Sequence, residues 1–316
     1  MAASTTRQPG KASVFIDGEA GTTGLEIRER LAGVSAVDVK SIDPAQRKDR
    51  EARAEMMRAV DLVVLCLPDA AAREAVAIAD ELQGDAPKII DASTAHRVAP
   101  GWVYGFAELT PDQPDAIKSA NRVANPGCYP TGAIALLRPL VESGVIPSDY
   151  PVTVNAVSGY SGGGRGMIEA YEAGTAPSFE LYGLGFEHKH IPELTKYSGL
   201  TRQPIFVPSV GNFRQGMLVS IPLHLETLPG KPSLADIETL LSDYYKSAEL
   251  VSVVTGAASK GARLEAEALN ATDKLELFVF GKPDLNQAVL VARLDNLGKG
   301  AAGAAVQNIK LMLGLD

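Results

Sequence analysis

The stretch Ala12-Ser13-Val14-Phe15-Ile16-Asp17-Gly18-Glu19-Ala20-Gly21-Thr22-Thr23-Gly24 restricts the fold more than any other part of the chain. A short apolar run ends in glycines spaced G-x-x-G-x-x-G, and residues 25–31 follow with helical spacing. Glycines at a strand-to-helix turn permit a tight bend. They also let a pyrophosphate approach the backbone where helix N–H groups are free. Gly18, Gly21, Thr22, Thr23 and Gly24 are therefore candidate dinucleotide contacts, with a plain glycine-rich turn as the competing reading.

The pattern then repeats. Residues 37–42, 62–67 and 88–91 read as strands, and residues 46–59 and 70–82 as helices. Strands alternating with helices predict an α/β domain with a doubly wound parallel sheet and right-handed crossovers. Ligands of such sheets bind beyond the carboxyl ends of the strands. The glycine loop, Leu67-Pro68-Asp69, the run from Asp91 to Arg97 and Cys128 all fall at such ends, so one crevice is expected to gather them. Asp43 is spaced to accept from a ribose 2′-OH, which favours NAD; Ser41, Arg47 and Lys48 could instead hold a 2′-phosphate, which favours NADP. Arg97 is the candidate clamp for a phosphate or carboxylate, and His96 beside it reads as a loop residue.

Asn125-Pro126-Gly127-Cys128-Tyr129-Pro130-Thr131-Gly132 sits between an apolar run at 122–124 and a periodic run at 133–141. This is again strand, turn and helix, with Cys128 on the turn. Free N–H groups and partial positive charge at a helix start favour the thiolate, which is the nucleophilic form. A buried structural cysteine is the alternative. Cys66 lies in the buried-strand pattern Leu62-Val63-Val64-Leu65-Cys66-Leu67 and reads as inert.

The character changes near residues 147–151, which look like a boundary. Residues 152–158 read as a strand entering Gly159-Tyr160-Ser161-Gly162-Gly163-Gly164-Arg165-Gly166. That loop either admits a nicotinamide or substrate to the backbone or is merely flexible. Glu187-His188-Lys189-His190-Ile191-Pro192-Glu193 places two histidines ahead of a helix with Pro192 in its first turn. A histidine near a cysteine can shuttle protons at neutral pH. A zinc site is disfavoured, because a fourth ligand and a paired cysteine are missing. Strands at 204–208, 217–225, 250–255, 275–280 and 288–294, with a helix at 234–245, predict a second, α+β domain with a mixed or antiparallel sheet. His224 alternates with apolar neighbours and reads as structural, and residues 301–315 have helical spacing.

A length of 316 residues suits two domains, and a net charge of −8 argues against a nucleic-acid surface. Two cysteines make no disulfide scaffold. No apolar run is long enough to span a bilayer, and the start of the chain up to Lys11 lacks a signal-peptide core. The expectation is a cytoplasmic protein whose first residues are loosely ordered.

Taken together, these motifs resemble the N-acetyl-gamma-glutamyl-phosphate reductases of arginine biosynthesis, in their shorter form, with the aspartate-semialdehyde dehydrogenases as wider relatives. The resemblance is carried by the Gly18–Gly24 loop, Asn-Pro-Gly-Cys-Tyr-Pro-Thr, Ser158-Gly159-Tyr160-Ser161-Gly162, His188-Lys189-His190-Ile191-Pro192-Glu193 and Asn296-Leu297-Gly298-Lys299-Gly300-Ala301-Ala302, in that order. Ser93-Thr94-Ala95-His96-Arg97 stands where longer members tend to have Ser-Ala-Asp-Phe-Arg. The resemblance implies a Rossmann-type domain over residues 1–128 and 295–316, with a catalytic and oligomerisation domain inserted at 129–294. It implies NADP as cofactor, an acyl-phosphate substrate, no metal and a homo-oligomer, either dimer or tetramer. It implies a thioester on Cys128 with His190 as acid and base. Arg97, Asn125, Ser158, Tyr160, Glu193 and His188 would face substrate. Ser41, Pro68, Ser93, Gly159, Gly162 and Asn296 would join the glycine loop around the cofactor. Two other readings stay open: a reductase of aspartyl or N-acetyl-aminoadipyl phosphate, and a non-catalytic NADP-binding regulator.

Overall fold

A computed structural model describes residues 10–256 and 263–315. The expectation of a loose N-terminus concerns residues 1–9, which lie outside the described residues. The chain divides into two compact units. Unit 1 comprises Met1–Ala107, Pro111–Pro126 and Ala301–Asp316; unit 2 comprises Glu108–Thr110 and Gly127–Gly300.

Unit 1 begins with β1 (Ala12–Asp17), α1 (Thr22–Leu31), β2 (Val37–Lys40), α2 (Arg50–Arg58), β3 (Leu62–Leu65), α3 (Asp69–Glu81) and β4 (Lys88–Asp91). It continues with β5 (Val103–Tyr104), α4 (Gln113–Ser119) and β6 (Arg122–Ala124). The strands form one parallel sheet in the order β2-β1-β3-β4-β6-β5, as the βα alternation predicts. Side chains alternate across it. Val14, Ile16, Leu62, Val64, Ile90 and Val123 pack against α1 and α4 on one face. Phe15, Val63, Leu65 and Ile89 meet α2 and α3 on the other. Two covered faces explain why the central strand β3, Leu62-Val63-Val64-Leu65, is apolar throughout. The second helix starts later than the expected residue 46. Asp43 folds back to accept from the Ala45 N–H at 2.9 Å, and Asp49 caps the true helix start by accepting from Ala52 N–H at 2.8 Å.

Unit 2 contains α5 (Cys128–Glu142), β7 (Thr153–Gly159), α6 (Arg165–Glu172), β8 (Phe179–Leu181), α7 (Ile191–Ser198), β9 (Ile205–Gly211) and β10 (Met217–His224). Next come α8 (Leu234–Tyr244), β11 (Val251–Val253), β12 (Leu275–Lys282) and β13 (Gln287–Leu294). A π-helical turn at Gly298–Ala302 precedes α9 (Gly303–Leu313), whose Ala305, Ile309 and Met312 join the α1 side of the unit 1 core. The second sheet is mixed, in the order β11-β12-β13-β10-β7-β9-β8. Residues 147–151 are a connection inside unit 2 rather than a boundary. His224 is not a core residue: its side chain is exposed, with Glu226 at 3.6 Å.

α5 starts at Cys128, earlier than the periodicity suggested. Pro130 falls in the first turn, where no N–H is needed, and Thr131 N–H donates to the Gly127 carbonyl at 3.0 Å. Pro139 sits inside the helix and removes the donor that the Ala135 carbonyl would have had. The Tyr245 hydroxyl supplies it instead, at 2.9 Å. Among the described residues, no helix is long and apolar enough to cross a membrane.

Candidate active site

The two units each carry part of the expected machinery. In unit 1 the glycine loop is built as a cradle. Gly18 has φ +93°, and a Cβ there would lie 2.3 Å from the Cys66 carbonyl oxygen; at Gly24 it would lie 2.5 Å from the Gly18 carbonyl oxygen. Neither position admits a side chain. Gly21 forms the α1 N-cap with no side-chain cap, and the first helical turn has no acidic residue. Backbone N–H groups of Thr22, Thr23 and Gly24 thus stand at the positive end of a helix, which suits a diphosphate.

Beyond β2, Ser41 is tied into a charged cluster that motif spacing did not anticipate. Arg28 donates to the Ser41 hydroxyl at 2.6 Å and pairs with Glu19 at 2.5 Å, and Ser41 donates to Glu19 at 2.9 Å. Asp43, Arg47 and Lys48 are exposed, and Asp43 is occupied by its own turn. Pro68 is the N-cap of α3. The Ser93 hydroxyl donates to Asp91 at 2.8 Å and accepts from Ala95 N–H at 3.1 Å, so it serves its own loop. His96 is more than a loop residue: it stacks on Trp102 at 4.3 Å and bonds Asp91 through Nδ1 at 2.6 Å.

Arg97 and Asn125 are likewise built inward. Arg97 donates to the Asn125 carbonyl at 3.0 Å and to the Ala92 carbonyl at 3.3 Å. The Asn125 Nδ2 donates to the Ala301 carbonyl at 3.0 Å, and its Oδ1 accepts from Asn308 Nδ2 at 3.1 Å. Asn125 was expected to touch substrate. It is 1% exposed, with both amide atoms bonded inside unit 1. Cys66 keeps its proton: burial, aided by the carboxylates of Asp91 and Asp17, pushes the thiol up to about 12.

In unit 2, Cys128 is the first residue of α5, directly after the N-cap Gly127. Its side chain opens on a cavity of about 190 Å³ shared with Tyr129, Ser158, Gly159, Gly162, Gly163, Met167, Tyr182, His188, Lys189 and His190. The first turn of α5 has no acidic residue of its own, so the free N–H groups of the helix start stand beside the thiol. Glu193, 1% exposed, accepts from the Gly127 N–H at 3.1 Å and so holds the turn that presents the cysteine.

The two histidines differ. The His190 N–H donates to His188 Nδ1 at 3.2 Å, and the rings lie 4.7 Å apart. Burial, then the Lys189 charge, lowers the His188 pKa to about 4. His188 is therefore neutral at pH 7. Its Nδ1 is an acceptor, so the ring proton sits on Nε2 as a donor. Because the folded value lies below the ordinary 6.5, the unfolded chain takes up this proton first. The stabilising contribution is full above about 6.5 and is lost as pH falls towards about 4.

The second glycine loop is ordered: β7 runs through Gly159 into a 3-10 turn at Tyr160–Gly163 and then α6. Gly159 is required, since a Cβ would lie 2.6 Å from the backbone at Arg214 and Gln215. Tyr160 does not line the cavity; it stacks on Tyr171 at 4.8 Å. Asn296 is also withdrawn. It accepts from Gly216 N–H at 2.8 Å and donates to the Ser161 hydroxyl at 2.9 Å, which pins the glycine loop. Two tyrosines were missed. Tyr182 donates to the Tyr129 hydroxyl at 3.0 Å, and Tyr129 donates to the Ser209 carbonyl at 2.8 Å. Burial pushes the Tyr182 phenol up to about 12 and raises Tyr129 as well, so both stay protonated. Tyr182 stands six residues before His188 but outside the motif itself, and no spacing pointed to it.

Two family descriptions match the chain: a semialdehyde dehydrogenase NAD binding domain over residues 19–119 and a semialdehyde dehydrogenase dimerisation domain over residues 128–296. The N-acetyl-gamma-glutamyl-phosphate reductases of Brucella suis (strain ATCC 23445 / NCTC 10510) and Brucella ovis are each 53% identical over 311 residues, covering 96% of this chain and 99% of theirs. Among solved structures, aspartate semialdehyde dehydrogenase II of Vibrio cholerae complexed with ASA matches with a TM-score of 0.70 at 15% identity, covering 96% of this chain and 98% of that one. Aspartate semialdehyde dehydrogenase with NADP from Candida albicans matches with a TM-score of 0.63 at 14% identity, covering 96% and 98%. At these identities the structural likeness speaks for the fold.

Proposed function

The chain belongs to the semialdehyde dehydrogenase family, among its N-acetyl-gamma-glutamyl-phosphate reductases, and from that premise we propose how its residues carry out the reaction. The enzyme reduces N-acetyl-gamma-glutamyl phosphate to N-acetylglutamate semialdehyde and phosphate, in arginine biosynthesis, with NADPH as reductant. The observation that carries the mechanism is Cys128 at the start of α5, sharing one small cavity with His188 and His190.

The Cys128 thiolate attacks the acyl carbon. The C–S bond forms, the bond to the phosphate oxygen breaks, and phosphate leaves with its electron pair. The neutral His188 donates through Nε2 to the carbonyl oxygen as negative charge develops there, together with backbone N–H groups of the α5 start. When bound, NADPH supplies the hydride that takes the thioester to the thiohemiacetal level. His190 delivers a proton to the oxygen and removes it as the C–S bond breaks, returning sulfur as thiolate. Sulfur suits both halves, being a strong nucleophile and a good leaving group. Ser158 and Gly159 border the reacting centre. Arg97 braces the turn through backbone carbonyls and is assigned the anionic end of the substrate.

Gly18 and Gly24 form the cradle for the dinucleotide phosphates, with Thr22 and Thr23 at the helix start. Ser41 and Arg28, which are hydrogen-bonded to each other, are assigned the 2′-phosphate of NADP. Arg28→Ala is expected to raise the KM for NADPH about tenfold, the worth of one charged hydrogen bond, while NADH kinetics stay nearly constant. Equal losses with both nucleotides would overturn the assignment.

The protein is assigned as a cytoplasmic homo-oligomer. The outer face of the second sheet carries an open groove of about 670 Å³ with Phe179, Leu181 and Val289 along it. The three are 55%, 50% and 40% exposed. The dimerisation description of this half of the chain supports a second copy as its occupant. A monomer in sedimentation at micromolar concentration would reject this. The substrate is tested by phosphate-dependent NADP reduction with three semialdehydes. N-acetylglutamate semialdehyde is expected to exceed the aspartate and N-acetyl-aminoadipate compounds about tenfold or more in kcat/KM. A preference for either other compound would shift the substrate, and no phosphate-dependent turnover with any of them would reject the enzyme reading.

A further inference from the structure

The turn between β13 and α9 is polar and almost wholly buried. Asp295 is 0% exposed, and Asn296 and Lys299 are 1% exposed. Asp295 accepts from Leu297 N–H at 2.9 Å and from Ala271 N–H and the Gln215 amide, both at 2.8 Å. Asn296 holds Ser161, whose neighbours Gly162 and Gly163 line the catalytic cavity. Lys299 donates to Glu108 at 2.6 Å, with both side chains enclosed. Gly300 N–H donates to the Asp295 carbonyl at 3.0 Å. A Cβ at Gly300 would lie 2.8 Å from the Cys128 Cβ and 3.3 Å from its Cα. One turn therefore carries one wall of the cavity and forms the backing of the nucleophile.

A lysine is an odd choice for such a place. Desolvating an ammonium and a carboxylate is costly, and well-packed apolar residues of similar volume are often as stable or better. Burial indeed pulls the Lys299 pKa below its ordinary value, against the opposing pull of Glu108. Stability alone gives no reason for the pair. An ion pair does what an apolar contact cannot: it fixes one point of the turn to one point of the segment at Glu108 with a defined direction. The turn it fixes is π-helical, a rare form that occurs frequently at functional sites.

We propose that Lys299, clamped by Glu108, is a positioning residue that locks the π-helical turn behind Cys128 and so sets the aim of the thiolate. The proposal rests on Cys128 being the nucleophile. The test is the double variant Lys299→Met with Glu108→Leu, which removes both charges and keeps the volume. Its thermal midpoint is expected to match or exceed wild type. Its kcat should fall about 10²-fold, the effect of a misplaced reacting group. The KM values for phosphate and NADP should stay within about twofold. The pH profile of Cys128 alkylation by iodoacetamide should shift. Cys66, with its thiol at about 12, stays silent in that assay. A folded double variant with wild-type kcat and alkylation profile overturns the proposal. Should the double variant not fold, Gly300→Ala pushes on Cys128 directly and is expected to show the same signature with NADP binding intact; wild-type turnover there overturns the proposal equally. Wild-type enzyme is run alongside. If it lacks phosphate-dependent turnover, the catalytic reading fails; if it is active and the variants match it, only the role of Lys299 fails.

Discussion

Cys128→Ser is expected to remove semialdehyde- and phosphate-dependent NADP reduction by at least about 10⁴-fold, with NADPH binding retained. The exchange of sulfur for oxygen is small in size. It leaves the α5 start, the Glu193 bond to Gly127 and the neighbouring cavity wall in place. What changes is the chemistry. A serine hydroxyl stays protonated at neutral pH even at a helix N-terminus, and an alkoxide is a poor leaving group in the final collapse. Both halves of the reaction therefore suffer. Binding should not, because the glycine loop at Gly18 and Gly24 belongs to unit 1. Turnover within tenfold of wild type would reject Cys128 as the nucleophile.

The second large effect is expected at His190→Asn. Asparagine preserves polarity and approximate size but cannot exchange a proton, so kcat should fall by roughly 10²–10⁴-fold with a modest change in KM. His188→Asn is the control. Because His188 is neutral down to about pH 4, it donates a hydrogen bond without changing charge in the working range. Its loss should cost one oxyanion contact, roughly 10²–10³ in kcat, and leave the shape of the pH–rate profile between about 5 and 8 intact. His190→Asn should alter that shape. If His188→Asn alters the profile and His190→Asn does not, the two roles are exchanged.

Much of this site was legible in the chain because its chemistry needs unusual residues at fixed places. Gly18 and Gly24 are glycines because a Cβ would strike the backbone, and that need is visible as spacing. Cys128 stands out because Pro126-Gly127 and Pro130 mark a helix start around it. The Pro192 turn marks His190 in the same way. Roles were harder to read than places. Tyr160, Asn296, Ser93 and Asn125 sit in the right motifs, yet each side chain is bonded within the scaffold. Tyr182, Arg28 and the Glu108 partner of Lys299 carry no spacing at all. They act across folded loops, where only packing brings the groups together.

The chain by itself determined the alternating parallel sheet, the strand–turn–helix around Cys128 and the residue types that can perform thioester chemistry. Those follow from local forces: side-chain periodicity, glycine and proline torsions, and free N–H groups at helix ends act over a few residues and leave their mark in order and spacing. Only the tertiary structure decided which polar groups face the cavity and which are turned inward to hold it. That decision depends on partners such as Asn308 for Asn125, 183 residues away, and Ser161 for Asn296, 135 residues away. A buried hydrogen bond is chosen by whichever donor the completed fold brings within reach.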